Sequence, residues 1–425
     1  MASVVGMGRE VQSRIYRNGV FGRRPSVPVE PAALEAAAER RMSREAWAYV
    51  AGSAGQQRTA RANLEAFDRH RIVPRMLVDV EHRDTSVELF GRRIPAPLVF
   101  APIGVLEMAH REAEHAVAAA ARGLGLPMVI STQGSVPMEQ TAAALGDAPR
   151  WYQLYWSRDD SVVDSFVDRA EAIGSEAIVV TLDTHVLGWR TRDLDLAYLP
   201  FARAEGIAQY VSDPAFRRLA ERRAAEPPAT GEPTPRPTVS ALRALVSMAR
   251  HYPGGLRQNL RSPVPRAAVE TFLDVFSRPS LTWENLDYLR SRTSLPIVLK
   301  GIQDPRDAAL ALEHGVDGIV VSNHGGRQVD GAIASLDALP PVVEEVGGRI
   351  PVLFDSGVRS GADVFKALAL GAQAVLVGRP WVYGLALGGS AGARAVMEHI
   401  WAELDLTMAL SGVAGLDQVS RDLLA

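Results

Sequence analysis

Eight short apolar runs punctuate the chain, at residues 98–101, 127–131, 151–155, 177–183, 296–300, 318–322, 351–355 and 374–378. Each closes on a polar or glycine-bearing cluster, the sixth on Ser322-Asn323-His324-Gly325-Gly326-Arg327-Gln328. Between most of them lies an alanine-rich segment whose apolar positions recur at helical spacing. Short apolar runs alternating with helices predict the α/β class and a (β/α)8 TIM barrel. In that architecture chemistry collects at the C-terminal ends of the strands, which is where the polar clusters fall.

The chain outruns a bare barrel, so the remainder predicts additions to it. Residues 1–96 read as an N-terminal arm, helices and a barrel-plugging hairpin, 97–390 as the barrel, and 391–425 as two C-terminal helices packed outside it. Residues 1–30, rich in glycine and arginine with no clear period, predict an arm that orders only against the body or a partner. Pro31 suits a first helical position, and helical spacing continues to residue 50. The stop is Ala51-Gly52-Ser53-Ala54-Gly55. Alternation in Thr85-Ser86-Val87-Glu88-Leu89-Phe90-Gly91 predicts the hairpin. The crossover between the fourth and fifth runs is about three times too long, which places a long loop insertion at about 196–280. Its proline-rich middle, residues 226–237, cannot hold a helix and reads as a flexible connector. Ten arginines and no lysine lie between Arg217 and Arg266. That stretch reads either as a solvated, mobile linker or as a lid that helps attract an anionic substrate.

Composition narrows the function. Nearly half the residues are apolar (47%) and 22% charged, which suits one large soluble core. A net charge of −3 argues against nucleic acid and against general attraction to anionic membranes. The absence of cysteine removes disulfides, thiolate nucleophiles and Cys-ligated metal or iron–sulfur sites. There is no signal-peptide pattern at the N-terminus, and no run approaches the ~18 apolar residues of a membrane span. The expectation is a cytoplasmic, soluble enzyme.

The seventh run leads into Asp355-Ser356-Gly357-Val358-Arg359-Ser360-Gly361 and the eighth into Gly378-Arg379-Pro380. Glycines at these turns let backbone N–H groups approach an anion, Arg359 and Arg379 supply charge, and these two loops are the recurrent phosphate site of barrels. With no metal signature, that points to flavin mononucleotide, pyridoxal phosphate or a phosphorylated substrate. His324 follows the sixth run directly, with two glycines and Arg327 behind it. A base beside an arginine suits a 2-hydroxy acid: the arginine fixes the carboxylate and the base takes a proton. Arg190 could close the second side of that carboxylate, and Asp183 could pair with the imidazole. Lys300 could form a Schiff base or neutralise electron density on a cofactor ring. Ser131, Gln133, Gln153, Tyr155 and Thr181 offer groups that hold a heteroaromatic ring by its edge.

These residues resemble the FMN-dependent family that oxidises α-hydroxy acids, which includes glycolate oxidase, lactate oxidase, lactate 2-monooxygenase, mandelate dehydrogenase and flavocytochrome b2. The signature around His324, the segment 355–372, Trp151-Tyr152-Gln153-Leu154-Tyr155, Thr181-Leu182-Asp183-Thr184 and Leu299-Lys300-Gly301 carry the resemblance. It implies His324 as catalytic base with Asp183 as partner, and Arg190 and Arg327 on the substrate carboxylate. Tyr155 and Tyr49, the latter from the turn before Ala51-Gly52, would contact substrate oxygens. Lys300 would stabilise the reduced ring, and Ser131, Gln153 and Thr181 would hold its edge. Pro102, Ile103, Gly104 and Ser322 would add cofactor contacts, while Asp355, Gly357, Arg359, Gly378 and Arg379 would hold ribityl and phosphate. A tetramer is implied as well.

Two positions depart from the oxidases. Gly104 stands where they usually have alanine, which resembles the lactate 2-monooxygenase branch and implies that O2 reacts while the keto acid is retained, decarboxylating it. Its bland alternative is a tight strand end. Gln133 replaces an aromatic or aliphatic residue on the substrate side and suits a polar substrate tail. The alternatives are a simple oxidase releasing H2O2, a dehydrogenase, a pyridoxal-phosphate enzyme using Lys300, and a non-catalytic flavin sensor.

Overall fold

The computed structural model describes residues 6–226 and 238–425. Eight parallel strands close into a barrel, each predicted run supplying one: β3 Leu98–Phe100, β4 Met128–Ile130, β5 Arg150–Leu154, β6 Ile178–Thr181, β7 Ile297–Ile302, β8 Gly318–Val321, β9 Val352–Phe354 and β10 Ala374–Val377. β10 pairs with β3 to complete the circle, Val375 opposite Leu98. The strands read as unbroken apolar runs because both faces are covered, one by helices and one by the barrel interior. That interior is filled by Val99, Val129, Trp151, Val179, Val298 and Val320. The hairpin, β1 Val87–Leu89 and β2 Arg92–Ile94, plugs the N-terminal end, with Phe90 set edge-on against Trp151 at 5.3 Å. With that end sealed, the C-terminal ends of the strands are the open face.

Several outer elements differ from their sequence reading. Residues Met7–Val20 form a helix that the weak apolar period concealed, since it buries only Gly8 and Val11. Its anchor is remote in sequence: Gly8 N donates to Asp405 (2.8 Å), whose carboxylate also receives Arg83 through two N–H groups. The segment expected as one helix over 31–50 is two, Pro31–Arg41 and Arg44–Ala51, because the Ser43 hydroxyl accepts Ala46 N–H and opens a second helix. Tyr49, expected from the turn before Ala51-Gly52, sits within the second of these helices. Arg379–Leu410 is two helical segments separated by the non-helical Gly388 and Gly389, the first starting before the expected boundary at 391, and beyond Leu410 only the short 3-10 turns Leu416–Gln418 and Arg421–Leu423 follow. Across the bend Gly384 and Gly392 touch through their backbones, and a Cβ on Gly392 would lie 2.0 Å from the Gly384 carbonyl oxygen.

In place of the long loop expected, the described part of the insertion is largely helical. Its described residues form Ala208–Val211, Pro214–Ala225, Val239–His251, Leu256–Asn259 and Val264–Val275. Tyr210 packs at 5.0 Å on Phe166 of the barrel helix Asp160–Ala172 and at 4.8 Å on Phe272. Buried Asp213 caps Pro214–Ala225 and accepts from Ser165 and Arg169 of the same barrel helix. The arginines advertise the wet face of these helices; the spaced aromatics of the buried face are what dock them. Of the expected connector, residues 227–237 lie outside the described residues.

Candidate active site

The cavity at the open face draws on the ends of all eight strands and on the helix Arg44–Ala51. Tyr49, Gln133, Tyr155, Arg190, His324 and Arg327 line one part of it. Pro102, Ile103, Gly104, Ser131 and Lys300 line its middle, and Asp355, Gly357, Arg359, Gly378 and Arg379 the other end. Asp183, Gln153, Thr181 and Ser322 stand one layer behind and act on the lining residues.

His324 is placed by its backbone. It has φ 59°, in the left-handed region that few non-glycine residues enter, and Gly325 and Gly326 follow with φ 64° and 76°. The glycines are required by close approach: a Cβ on Gly325 would lie 2.5 Å from Arg379 Nη1, and one on Gly326 2.6 Å from the Ala60 backbone nitrogen. Ser322 Oγ accepts His324 N–H at 3.0 Å, fixing the turn from inside. The imidazole Nδ1 meets Asp183 Oδ1 at 2.7 Å, which leaves Nε2 as the free ring nitrogen. Burial lowers the His324 pKa against the pull of Asp183, with Lys300 and Arg190 adding to the lowering. The ring is therefore neutral at pH 7. Burial would raise the Asp183 pKa, but the charges of His324 and Lys300 and its hydrogen bonds outweigh it, and the carboxyl is held below its ordinary range.

Two arginines share the cavity with His324. Arg327 lies over the Tyr49 ring at 5.0 Å and donates to the Tyr49 and Gly52 carbonyls. Arg190 donates to Gln328 Oε1 at 3.1 Å, and burial together with the like charge of Arg327 pulls its pKa down to about 10. Buried Arg190 and half-buried Arg327, with the Asp193 carboxyl near enough to feel both charges, form a receptor for an anion. Burial, and next the Asp183 charge, raises the Tyr155 pKa; burial likewise raises Tyr49, against Arg327 and Arg190. Both phenols are neutral donors at neutral pH.

Lys300 is buried and bound on two sides, 2.7 Å from Asp355 Oδ2 and 2.8 Å from Ser322 Oγ. Desolvation would lower its pKa, but Asp355 and Asp183 more than offset this and raise it. A protonated amine of this kind is a fixed cation and a poor Schiff-base nucleophile. Behind the cavity Ser131 donates to Gln153 and Gln153 to Thr181, each at 3.0 Å, a neutral relay across β4, β5 and β6. At the far end the arginines differ. Arg379 spends four N–H contacts on Val50, Gly52, Ser53 and Gly325, so it braces the N-terminal turn and keeps one N–H for an anion. Arg359 donates within hydrogen-bond reach only to its neighbour Val358 among the described residues and is the freer phosphate arm. A cation beside a neutral polar edge, with glycine turns and arginine beyond, fits FMN: Lys300 and Ser131 would face the ring system, and Gly357, Arg359 and Gly378 the phosphate.

Three residues given no role from sequence complete the arrangement. Thr184 Oγ1 donates to Asp183 Oδ1 at 3.1 Å, so His324 and Thr184 share one carboxylate oxygen. Gln328 bridges Arg190 and the Asp183 carbonyl, 2.6 Å from its Nε2. Ser356 receives Gly325 N–H at 2.9 Å and donates to Asp355, joining the turn after β8 to that after β9. Thr184 and Gln328 lie beside residues already singled out, but a hydroxyl or amide at such a position has no spacing signature of its own.

The family described as FMN-dependent dehydrogenase matches residues 38–425. An FMN-dependent alpha-hydroxy acid dehydrogenase of Penicillium citrinum is 42% identical over 412 residues, covering 97% of this chain and 94% of its own. An L-lactate oxidase of Lysinibacillus sphaericus (strain C3-41) is 42% identical over 390 residues, 92% of this chain and 91% of its own. A peroxisomal (S)-2-hydroxy-acid oxidase of Oryza sativa subsp. japonica is 37% identical over 396 residues, 93% of this chain and 95% of its own. The crystal structure of mandelate oxidase with (S)-4-hydroxymandelic acid superposes with a TM-score of 0.76 at 36% identity, covering 94% of this chain and 98% of that one. The family match over most of the chain, the relatives' identity and the shared barrel agree: this chain belongs to the FMN-dependent 2-hydroxy acid oxidase and dehydrogenase family.

Proposed function

We propose that this protein oxidises an (S)-2-hydroxy acid to the 2-keto acid and passes the electrons to O2. The observation that carries this reading is the Asp183–His324 pair, with its free Nε2 in the same cavity as Arg190 and Arg327. The two guanidiniums bind the carboxylate and orient C2; Tyr49 and Tyr155 donate to its oxygens. His324 Nε2 takes the hydroxyl proton, and Asp183 stabilises the imidazolium that forms. The chemistry that FMN would supply when bound is acceptance of the C2 hydrogen together with its two electrons, a hydride equivalent that O2 then takes up with the hydroxyl proton to give H2O2. Lys300 provides the fixed positive charge for the extra electron density on that side of the cavity.

Coupled oxidative decarboxylation, in which the keto acid is retained, is the second reading and rests on Gly104. The structure gives that glycine a packing reason of its own: a Cβ would stand 2.9 Å from both Cβ and the carbonyl oxygen of Gln133. Gly104→Ala would thus disturb the substrate wall as well as the space near the ring, so direct product analysis is the better discriminator. Gln133, 8% exposed, makes no side-chain hydrogen bond within the described residues and lines the cavity, which supports a substrate whose side chain carries a hydrogen-bonding group. A cytoplasmic, tetrameric enzyme completes the reading, and light scattering of the purified protein tests the tetramer. Among the described residues no helix is long and apolar enough to cross a membrane.

The test is anaerobic mixing of the yellow holoenzyme with a panel of 2-hydroxy acids, polar and apolar side chains paired at equal length. Bleaching of flavin absorbance by the (S)-enantiomers is expected, faster with polar members; absence of bleaching by any of them overturns the reading. Admitting air and measuring H2O2 against CO2 then assigns the fate of the keto acid.

A further inference from the structure

The insertion reaches the cavity wall through a chain of contacts that catalysis itself does not use. Val105, next to Gly104, holds φ 57°, a strained value for a β-branched residue, and donates its N–H to the Gln133 carbonyl at 2.9 Å. Gly206 of the insertion packs onto this pair so tightly that a Cβ would lie 2.5 Å from Val105 Cγ2 and 3.1 Å from the Gln133 carbonyl oxygen. Gly206 N–H donates to Glu107 Oε1 at 3.0 Å, and Ala208 N–H to the Gly134 carbonyl at 3.0 Å. The second oxygen of Glu107 meets His251 Nε2 at 2.7 Å, and His251 Nδ1 faces the Ser247 carbonyl at 2.8 Å. Both ring nitrogens point at acceptors. The Ser247 hydroxyl also lies 3.3 Å from Nδ1 but donates to the Arg203 carbonyl at 2.8 Å, so the cationic imidazole, a donor at each nitrogen, is the form that satisfies both acceptors.

We propose that His251 is a positioning residue: as an imidazolium it locks Glu107 and Gly206 onto Val105, and so holds Gln133 and Gly104 in place as one wall of the substrate cavity. The proposal rests on the cavity being the substrate site. It makes the wall pH-sensitive in a range set by His251 rather than by the base His324. The hydrogen bond to Glu107 is the main cause of a His251 pKa above its ordinary value, with burial opposing and the Glu107 charge adding. The clamp is therefore closed below the ordinary histidine range and loosens as pH rises through the raised value. Other charged groups around the helix Val239–His251 do not replace Glu107. Arg203 lies over the Tyr198 ring at 4.7 Å, and Tyr198 donates to Glu205, which adds a weaker pull on the imidazole. Val264–Val275 brings Arg266, Glu270 and Asp274; Glu270 pairs with Arg266, and Asp274 with Arg223. Leu256–Asn259 brings Arg257, and the helix itself carries Arg243 and Arg250.

The experiment measures binding of oxalate, an unreactive dicarboxylate, to oxidised holoenzyme by its perturbation of flavin absorbance. Wild type, His251→Gln and Glu107→Gln are compared across about pH 6 to 9, spanning the histidine range. Wild type is expected to weaken severalfold as pH rises. Both variants should start weak and lack that inflection, since glutamine at 107 can still accept Gly206 N–H but cannot hold a cation. Flavin bleaching at saturating substrate should keep the wild-type maximal rate and pH profile, leaving the loss in KM. An unchanged inflection in His251→Gln, or an equal fall in maximal rate, overturns the proposal; flavin loss from both variants does so too, by making the pair a structural support. Failure of wild type to bleach with any 2-hydroxy acid would defeat the catalytic reading instead, and the oxalate titration is read independently of it.

Discussion

His324 carries two costs that its neighbours offset: a left-handed backbone and desolvation of an imidazole that, in the proposed reaction, accepts charge during turnover. Ser322 and the paired glycines stabilise the first, Asp183 the second. His324→Ala is expected to lower kcat by about 10² to 10⁴-fold with the flavin spectrum intact; turnover within tenfold of wild type would remove the base assignment. Because the His324 pKa is lowered in the free protein, the acid side of the kcat/KM profile should fall from its plateau only below the ordinary histidine value of 6.5. A plateau ending above that value would contradict the burial argument. At this scale sequence exposed the side chains that do chemistry, since histidine, lysine and arginine at strand ends are informative by type. It could not show that Arg379 is mostly occupied by backbone carbonyls, because a carbonyl acceptor is available at every position of the chain.

Turns between strands and helices carry the site, and their supports sit on the helices. Glu114, on the helix Ala113–Leu124, is 0% exposed and accepts Ser135 N–H at 2.9 Å, holding the turn after β4 that bears Ser131 and Gln133. Burial pushes its pKa up to about 8. A raised folded pKa means that the stabilisation is complete below the ordinary carboxyl value and is lost as pH rises towards 8. Glu114→Gln keeps an acceptor without the charge. Its Tm should therefore stay flatter than wild type over that window, where wild type loses up to about 1.4 kcal/mol per pH unit. Parallel Tm curves for the two proteins would count against a neutral buried carboxyl. A glutamate in an alanine-rich helix reads as solvent-facing from periodicity alone; only the packed turn shows it to be inside.

Across the whole molecule, the insertion and the barrel behave as one body. Asp213 is their joint: one oxygen caps Pro214–Ala225 through Ala215 and Phe216 N–H, and the other takes Ser165 and Arg169. Asp213→Ala should cost on the order of 3 kcal/mol, since it uncaps a helix and leaves a buried guanidinium short of a partner. Chemical denaturation should show this as a lower midpoint with loss of flavin at the same transition. A separate early transition for the insertion, with flavin retained, would show two independent units instead.

The sequence by itself determined the barrel, the face that bears chemistry and the residues that could perform it. Strand burial and strand-end polarity are local patterns, set by which side chains leave water and which remain beside a ligand. Tertiary structure alone decided that the described part of the arginine-rich insertion is helical and packs behind the cavity wall on Val105, that Ser43 opens a second helix to carry Tyr49, and that Gly104 abuts Gln133. The first and last of these depend on contacts between residues far apart in the chain. Such contacts leave no period in the sequence, because one glycine, one buried carboxylate or one histidine suffices to make them.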